Sequence, residues 1–224
     1  MKHYSIAIDG PAGAGKSTMA KRLAQALGYV YVDTGAIYRT VGYHMNLMGI
    51  GPKDVDGITR LIDDVNLDIT YDAEGVQHMI LNGDDVTDEI RSPEMSMIAS
   101  TISAHKVVRD FLLDTQRDLT KKYDVVMDGR DIGTVVLPDA DLKFYLTAAP
   151  EVRAMRRVKQ HRAAGQEVDE AKILKEIIQR DEQDMNRPIA PLRQAEDAIR
   201  IDNSYLNTEE ATVRMMEIAG KRLG

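Results

Sequence analysis

A glycine-rich segment near the N-terminus combines a lysine with two hydroxyl side chains at a spacing suited to phosphate. It follows the apolar run at residues 6–8 and consists of Gly10, Pro11, Ala12, Gly13, Ala14, Gly15, Lys16, Ser17 and Thr18. Glycines let backbone N–H groups turn towards phosphate oxygens, Lys16 supplies a positive charge, and the Ser17 hydroxyl can bind Mg²⁺. The pattern predicts a P-loop that binds a nucleoside triphosphate with Mg²⁺ and places Lys16 on a surface loop. The alternative is a glycine-rich turn that only joins a strand to a helix.

Two further groups of polar residues directly follow predicted strands. Residues 33–39, Asp-Thr-Gly-Ala-Ile-Tyr-Arg, place Arg39 where it could hold an acceptor phosphate through two hydrogen bonds. Residues 128–134, Asp-Gly-Arg-Asp-Ile-Gly-Thr, offer Asp128 as the acidic group near Mg²⁺, Arg130 as a phosphate ligand, and Asp131 as an acceptor for an exocyclic amine. The ordinary alternatives are a solvated helix residue for Arg39 and a strand-end turn former for Asp128.

Arginines recur at helical spacing in the second half of the chain. Arg153 and Arg157 share one helix face and suit a lid over the triphosphate, although an exposed basic face would show the same pattern. Arg180, Asp184 and Arg187 are spaced i, i+4, i+7. They form either a ladder of intrahelical salt bridges or a ribose-binding carboxylate between two phosphate-binding arginines.

Strand-like apolar runs alternate with helical patterns along the chain. Strands are predicted at residues 4–9, 29–33, 124–128, 142–146 and 198–201, and helices at 17–27, 151–164, 169–185 and from 207 or 208 onward. This alternation indicates an α/β fold in which a parallel sheet carries its ligands beyond the carboxyl ends of the strands. Residues 67–71 and 76–81 instead predict an antiparallel hairpin within an inserted subdomain.

Composition excludes several classes of protein. The chain has 224 residues, a net charge of −7 and no cysteine, which argues against broad nucleic-acid or anionic-membrane binding and excludes disulfides and thiolate metal sites. The five histidines lack metal-ligand spacing, so we expect no metal beyond nucleotide-bound Mg²⁺. No apolar stretch reaches the length of a membrane span or signal peptide. We therefore expect one domain in a cytoplasmic, monomeric protein without a membrane or nucleic-acid partner.

The motifs at residues 10–18, 33–39, 128–134 and 180–192 together resemble those of bacterial cytidylate kinases, nearly from end to end of the chain. The resemblance implies a P-loop kinase fold with a five-stranded parallel sheet flanked by helices. It also implies an inserted monophosphate-binding subdomain at about 40–105, which contains the antiparallel element, and a short helical lid at about 152–168. The implied reaction transfers the γ-phosphoryl group of ATP to CMP or dCMP, giving CDP or dCDP and ADP, in pyrimidine nucleotide metabolism.

The same resemblance assigns residues to each substrate. ATP would be bound by residues 10–18 with Arg153 and Arg157, and Mg²⁺ by Ser17 and by Asp128 through water. The implied monophosphate site consists of Thr34, Tyr38, Arg39, Ser100, Arg109, Arg130, Asp131, Arg180, Asp184 and Arg187. The implied catalytic residues are Lys16, Arg39, Arg130, Arg157 and Arg180.

The resemblance implies that the cytosine base is recognised by Ser100, Arg109 and Asp131. It also implies that Arg180 and Asp184 lie near the sugar. The exocyclic amine of cytosine needs an acceptor such as Asp131, and its N3 and O2 need donors. Uracil reverses the N3 and exocyclic groups and would leave buried polar groups unpaired, so we expect CMP to be preferred to UMP.

Two other functions remain open on the residues alone. A P-loop kinase with a hydroxyl acceptor would need a general base, which Asp33 could provide, whereas a nucleoside monophosphate is already largely dianionic and needs none. A regulatory P-loop switch would hydrolyse its nucleotide slowly. The number of arginines near the motifs favours an acceptor that carries a phosphate.

Overall fold

The computed structural model describes residues 3–223, which form eight strands and eight α-helices. The strands are β1 (Ser5–Asp9), β2 (Val30–Asp33), β3 (Leu67–Tyr71), β4 (Gln77–Leu81), β5 (Asp84–Asp85), β6 (Val125–Gly129), β7 (Leu142–Thr147) and β8 (Ile199–Asp202). The helices are α1 (Lys16–Leu27), α2 (Thr34–Leu47), α3 (Val55–Leu61), α4 (Pro93–Ile102), α5 (Lys106–Lys122), α6 (Pro150–Ala163), α7 (Glu170–Asn186) and α8 (Thr208–Leu223). The predicted strands and helices are confirmed, with ends that shift by one or two residues.

The predicted five-stranded parallel sheet is also confirmed. Its strand order is β2-β6-β1-β7-β8. Strand β1 pairs in parallel with β7, where Ile6 faces Leu142, and β7 pairs in parallel with β8, where Phe144 faces Ile199. Such a sheet is the frame on which α/β proteins place ligand-binding loops at the carboxyl ends of the strands.

A separate antiparallel sheet has the order β3-β4-β5. The predicted hairpin forms its first two strands, with Leu67 opposite Leu81 and Tyr71 opposite Gln77. Strand β5 was not predicted, because two consecutive aspartates lack both the apolar alternation and the β-branched residues that mark a strand. No helix within residues 3–223 has the length and apolar character needed to cross a membrane.

The chain divides into two compact units. The first contains His3 and Val30–Val125, and the second contains Tyr4–Tyr29 and residues 126–223. The boundaries of the predicted insertion, about 40–105, and of the predicted lid, about 152–168, stay predictions.

In the second unit, the strands are buried almost throughout because the parallel sheet is covered. Ile6, Ile8 and Phe144 are among its fully buried side chains. Helices α6 and α7 pack through the apolar group Ala154, Val158, Ile173 and Ile177. Helix α8 begins as predicted, because the Asn207 carboxamide oxygen accepts hydrogen bonds from the backbone N–H groups of Glu209 and Glu210.

In the first unit, α2 packs closely against α4. Gly42 makes this approach possible, since a Cβ atom at this position would lie 2.7 Å from Ile98 Cγ2. Helix α2 begins at the carboxyl end of β2, where the Asp33 side chain accepts a hydrogen bond from Ala36 N. The helix start therefore depends on the residue with which the strand ends.

The exposed side of the antiparallel sheet carries a histidine between two carboxylates. His78 Nδ1 lies 2.7 Å from Asp85 Oδ2, and His78 Nε2 lies 3.4 Å from Asp72 Oδ2. These two hydrogen bonds, Asp85 first, raise the pKa of His78 above its ordinary value of 6.5.

We predict a pH-dependent contribution of His78 to the stability of this unit. Because the folded-state pKa of His78 is raised, the stabilisation is complete below pH 6.5 and is lost as the pH rises through the folded-state pKa. NMR titration of the imidazole should give a midpoint above 6.5 in the native protein and a midpoint closer to 6.5 in Asp85→Asn. An unchanged midpoint in Asp85→Asn would show that this ion pair does not form in solution.

Candidate functional site

In the second unit, the glycine-rich segment forms a tight loop between β1 and α1. Gly10 has a φ of +149°, and a Cβ atom there would lie 1.9 Å from the Leu146 carbonyl oxygen. Gly13 and Gly15 also have positive φ values, of 76° and 97°. Glycine is thus required by backbone conformation at these positions, as in a loop whose N–H groups turn towards an anion.

Lys16 is the first residue of α1 and is only 5% exposed. Its Nζ donates a hydrogen bond to the Pro11 carbonyl oxygen at 2.8 Å, which folds the side chain back across the loop. The expectation that Lys16 lies on the surface was therefore wrong. Burial lowers the pKa of the Lys16 ammonium, and the positive charge of Arg130 lowers this pKa further.

Asp9, the last residue of β1, connects this strand to the segment after β6. Asp9 Oδ1 accepts a hydrogen bond from Ile132 N at 2.8 Å, and Asp9 Oδ2 accepts one from Gly133 N at 2.7 Å. Burial raises the pKa of the Asp9 carboxyl to about 6, although both N–H groups oppose that shift. Asp9 thereby fixes the first residues of the π-helical turn at Ile132–Val136, next to Arg130 and Asp131.

Ser17 and Asp128 meet in the second unit, as their predicted shared role requires. Ser17 Oγ donates a hydrogen bond to Asp128 Oδ2 at 2.9 Å, and Asp128 is buried at the end of β6. A hydroxyl and a carboxylate offer the oxygen atoms that Mg²⁺ prefers. Residues 3–223 contain no cluster of three or more His, Cys, Asp or Glu side chains able to hold a metal ion by themselves.

Two arginine–carboxylate pairs join α7 and the residue after it to the segment after β6. Arg130 Nε donates to Asp184 Oδ2 at 2.8 Å, and Arg187 Nη2 donates to Asp131 Oδ1 at 3.1 Å. Arg187 follows the end of α7, so it is not on the helix with Asp184. Both pairs connect separate elements, so neither belongs to a ladder along one helix.

Arg180 on α7 differs from these paired arginines. Its Nε is buried and has no hydrogen-bond partner within the part of the chain described, residues 3–223. Burial lowers the pKa of Arg180 to about 10, Arg130 contributes the next largest effect, and Arg157 also lowers it. Arg180 is therefore a desolvated cation near two other guanidinium groups.

Arg153 is 2% exposed and contacts the P-loop backbone. Its guanidinium donates to the carbonyl oxygens of Ala12 and Ala148 and forms an ion pair with Asp181 on α7. The structure thus places Arg153 against the loop predicted to bind the triphosphate, but with its donors directed to protein groups.

In the first unit, Arg39 pairs with the carboxylate that begins its own helix. Arg39 Nη2 donates to Asp33 Oδ2 at 3.0 Å. The Nε atom of Arg39 is buried without a hydrogen-bond partner in residues 3–223. A buried donor without an acceptor costs about 1–3 kcal/mol of folding free energy. Because this N–H group of Arg39 is unpaired within that range, it can donate to an anionic ligand. Thr34, the neighbouring predicted residue, is buried at the start of α2.

The first unit also brings together two predicted residues that are distant in sequence. The Arg109 guanidinium lies 5.8 Å from the centroid of the Tyr38 ring, within cation–π range. Arg109 Nη1 also donates to the Ser103 carbonyl oxygen at 3.3 Å. Ser100 is half-buried on α4, in the turn before Ser103.

Four residues that support these groups were not predicted. Asp9, Asp181 and Asn203 act in the second unit, where Asn203 Nδ2 donates to the P-loop carbonyl oxygen of Ala14 at 2.9 Å. Gln77 acts in the first unit, on β4. Asp9 ends β1 and Asn203 follows β8, so a search for polar residues at every strand end would have found both.

Comparison with known proteins places the chain in a family. The family model for cytidylate kinase matches residues 6–221. A protein named cytidylate kinase from Caldicellulosiruptor saccharolyticus is 50% identical over 224 residues, covering 100% of this chain and 99% of the relative. Another from Geobacter sulfurreducens is 46% identical over 217 residues, covering 97% and 93%.

A solved structure of an uncharacterized protein from Eubacterium ventriosum gives independent support for the fold. It has a TM-score of 0.52 at 13% identity and covers 98% of this chain and 100% of its own. At that identity the likeness concerns the fold alone. The family model and the relatives, which extend over almost the whole sequence, show more: the chain belongs to the cytidylate kinase family.

Proposed function

We propose that this protein transfers the γ-phosphoryl group of ATP to CMP or dCMP, giving CDP or dCDP and ADP. The observation that carries the phosphate chemistry is a group of cations in the second unit. Lys16 and Arg180 are both desolvated, and Arg130 lowers the pKa of each. Arg180 Nε also lacks a hydrogen-bond partner within residues 3–223, and a buried cation with an unpaired donor favours an anionic ligand. Membership of the cytidylate kinase family supports the choice of acceptor.

We assign the triphosphate to residues 10–18 of the P-loop. Its glycine conformations and the start of α1 present backbone N–H groups, and the Lys16 ammonium neutralises charge that develops during transfer. Arg157 is assigned to the same substrate. Arg153 is assigned to it through the P-loop backbone, which it contacts at Ala12.

Mg²⁺ is proposed to accompany ATP, with Ser17 as a direct ligand and Asp128 as a ligand through water. The hydrogen-bonded hydroxyl and carboxylate fit this role. When bound, the ion would neutralise negative charge on the phosphates.

We assign the acceptor phosphate to Arg39 and Arg130. Asp33, the base that a hydroxyl acceptor would need, has one oxygen bonded to Ala36 N and the other to Arg39. Both carboxylate oxygens are therefore engaged with protein groups, so taking a proton from a substrate hydroxyl would disturb the start of α2 or the pair with Arg39, which favours the phosphate acceptor. Arg180, Asp184 and Arg187 are assigned to the same substrate, with Arg180 and Asp184 near the sugar.

Base recognition is assigned to Ser100, Arg109 and Asp131, with Tyr38 supporting Arg109. The contact between Tyr38 and Arg109 supports this assignment, since it holds a donor-rich group in a defined place.

Incubation with Mg-ATP and a panel of nucleoside monophosphates, sugars and water as acceptors distinguishes the candidate functions. Transfer to sugars would favour the hydroxyl acceptor, and slow hydrolysis alone would favour a regulatory switch. A monomeric state and the absence of a nucleic-acid partner stay predictions.

We predict that Lys16→Ala lowers kcat by about 10²–10³-fold, because a buried charge that stabilises the transition state is lost. Lys16→Met is the matched variant, since it retains the apolar stem that crosses the loop but not the charge. Both variants should show similar losses in a coupled ADP-release assay, with folding verified by thermal melting. Near-normal turnover in folded Lys16→Met would remove the basis for assigning the triphosphate to this loop.

Arg39→Ala and Arg130→Ala are each predicted to raise KM for CMP by about 10–100-fold. This rise corresponds to the binding free energy lost with one charge-assisted hydrogen bond to phosphate. KM for ATP should change by much less. Exposed Arg60 on α3 provides a control substitution to alanine that should alter neither constant. If affinity for ATP fell while that for CMP stayed constant, the two substrates would have been assigned to the wrong residues.

Asp131→Asn is predicted to narrow the preference for CMP over UMP by about one to two orders of magnitude in kcat/KM. The substitution replaces part of the acceptor capacity needed by the cytosine amine with a donor. Asp184→Asn is the matched control, because its assigned contact is to the sugar, which CMP and UMP share. An equal loss for both substrates in Asp131→Asn would mean that Asp131 acts through Arg187, its ion-pair partner.

A further inference from the structure

Gln77 is a polar residue on a face of β4 that is otherwise apolar. Gln77, Met79 and Leu81 alternate along the strand and are all buried, and Gln77 is 8% exposed. A carboxamide in such a position is unfavourable unless hydrogen bonds replace those it makes with water. The partners of Gln77 therefore indicate why the residue is polar.

Gln77 Nε2 donates to Met79 Sδ on its own strand at 3.0 Å, and the other partners of Gln77 are the two main-chain groups of Asp33, at the end of β2. Gln77 Oε1 accepts a hydrogen bond from Asp33 N at 2.8 Å, and Gln77 Nε2 donates to the Asp33 carbonyl oxygen at 3.3 Å. A carboxamide has both a donor and an acceptor, so it can pair with one residue's backbone as a neighbouring strand would. Neither a carboxylate nor an apolar side chain of similar size can do this.

The side chain of Asp33 links the Asp33 main chain, which Gln77 holds, to Arg39. One carboxylate oxygen accepts from Ala36 N and the other from Arg39 Nη2. Gly35 leaves room for this arrangement, because a Cβ atom there would lie 3.0 Å from both Arg39 Nη1 and Asp33 Oδ1. A shift of the Asp33 backbone would thus move the start of α2 and the Arg39 guanidinium together.

We infer that Gln77 is a positioning residue for the acceptor phosphate: it holds the Asp33 main chain, and Asp33 in turn orients Arg39. The antiparallel sheet then has a role in the reaction beyond packing. The inference rests on the proposed function in one respect, the assignment of Arg39 to the phosphate of CMP. The chain of contacts from Gln77 to Arg39 lies entirely within the first unit.

The first test is steady-state kinetics of Gln77→Met, which keeps the side-chain length but removes both hydrogen bonds to Asp33. We expect KM for CMP to rise about tenfold, the effect of losing one to two ordinary hydrogen bonds, while KM for ATP changes less than about twofold. Leu81→Met is the matched control on the same buried face and should leave both constants unchanged. Equal KM values for CMP in folded Gln77→Met and the native protein would overturn the inference.

A double-mutant cycle tests the route through Arg39. In an Arg39→Ala background, Gln77→Met should raise KM for CMP by less than about twofold, because the group that Gln77 positions is gone. Fully additive effects would show that Gln77 acts by another route and would contradict the inference. Should Gln77→Met fail to fold, Gln77→Glu replaces it. The carboxylate retains an acceptor for Asp33 N but no donor for the Asp33 carbonyl, and the same kinetic outcomes apply.

Amide hydrogen exchange separates this inference from the proposed function. The hydrogen bond from Ala36 N to Asp33 should open more readily in the Gln77 variant, so exchange of the Ala36 amide should accelerate about tenfold relative to amides near the C-terminal end of α2. Unchanged Ala36 exchange would refute positioning even if CMP is the substrate. Accelerated exchange in a protein that does not phosphorylate CMP would instead support the contact chain and refute the proposed function.

Discussion

The second unit depends on the burial of positive charge beside a glycine-rich loop. Lys16 is almost fully buried, Arg153 more so, and Arg180 is desolvated close to Arg130. Such an arrangement is stable only where carboxylates and carbonyl oxygens surround the cations. The structure provides Asp181 for Arg153, Asp184 for Arg130 and the Pro11 carbonyl for Lys16. The positions of β1, β6 and α7 are thus constrained by electrostatics as well as by apolar packing.

A smaller version of the same constraint operates in the first unit, where Asp33 is the central residue. Its carboxylate begins α2 and pairs with Arg39, and its main chain pairs with Gln77. One residue therefore combines a helix cap, an ion pair and a strand-like contact. Positioning of this kind is effective because the bonds from Gln77 limit the movement of the Asp33 main chain, and the Asp33 carboxylate in turn limits the movement of Arg39.

Many elements of the fold could be predicted from sequence because their signals are local, although helices α2 to α5 were not predicted. Alternation of apolar runs and helical patterns predicted β1, α1 and the β3–β4 hairpin, whereas β5 has no such signal. The burial of Lys16 and the pairings of Asp184 with Arg130 and of Asp131 with Arg187 could not be predicted. They depend on which elements meet in space, and helical spacing alone left Asp184 either in a ladder along its helix or as a ribose-binding carboxylate. Ser100 and Arg109 carry no local signal and entered only through the family resemblance.

The short strand β5 has a consequence for association between molecules. It lies at one end of the antiparallel sheet and consists of two exposed aspartates. A sheet edge with free backbone groups can recruit a strand from another chain, and short length and charge both oppose that recruitment. The acidic edge therefore opposes edge-to-edge aggregation through β5. Replacing both aspartates with apolar β-branched residues would create an aggregation-prone edge strand.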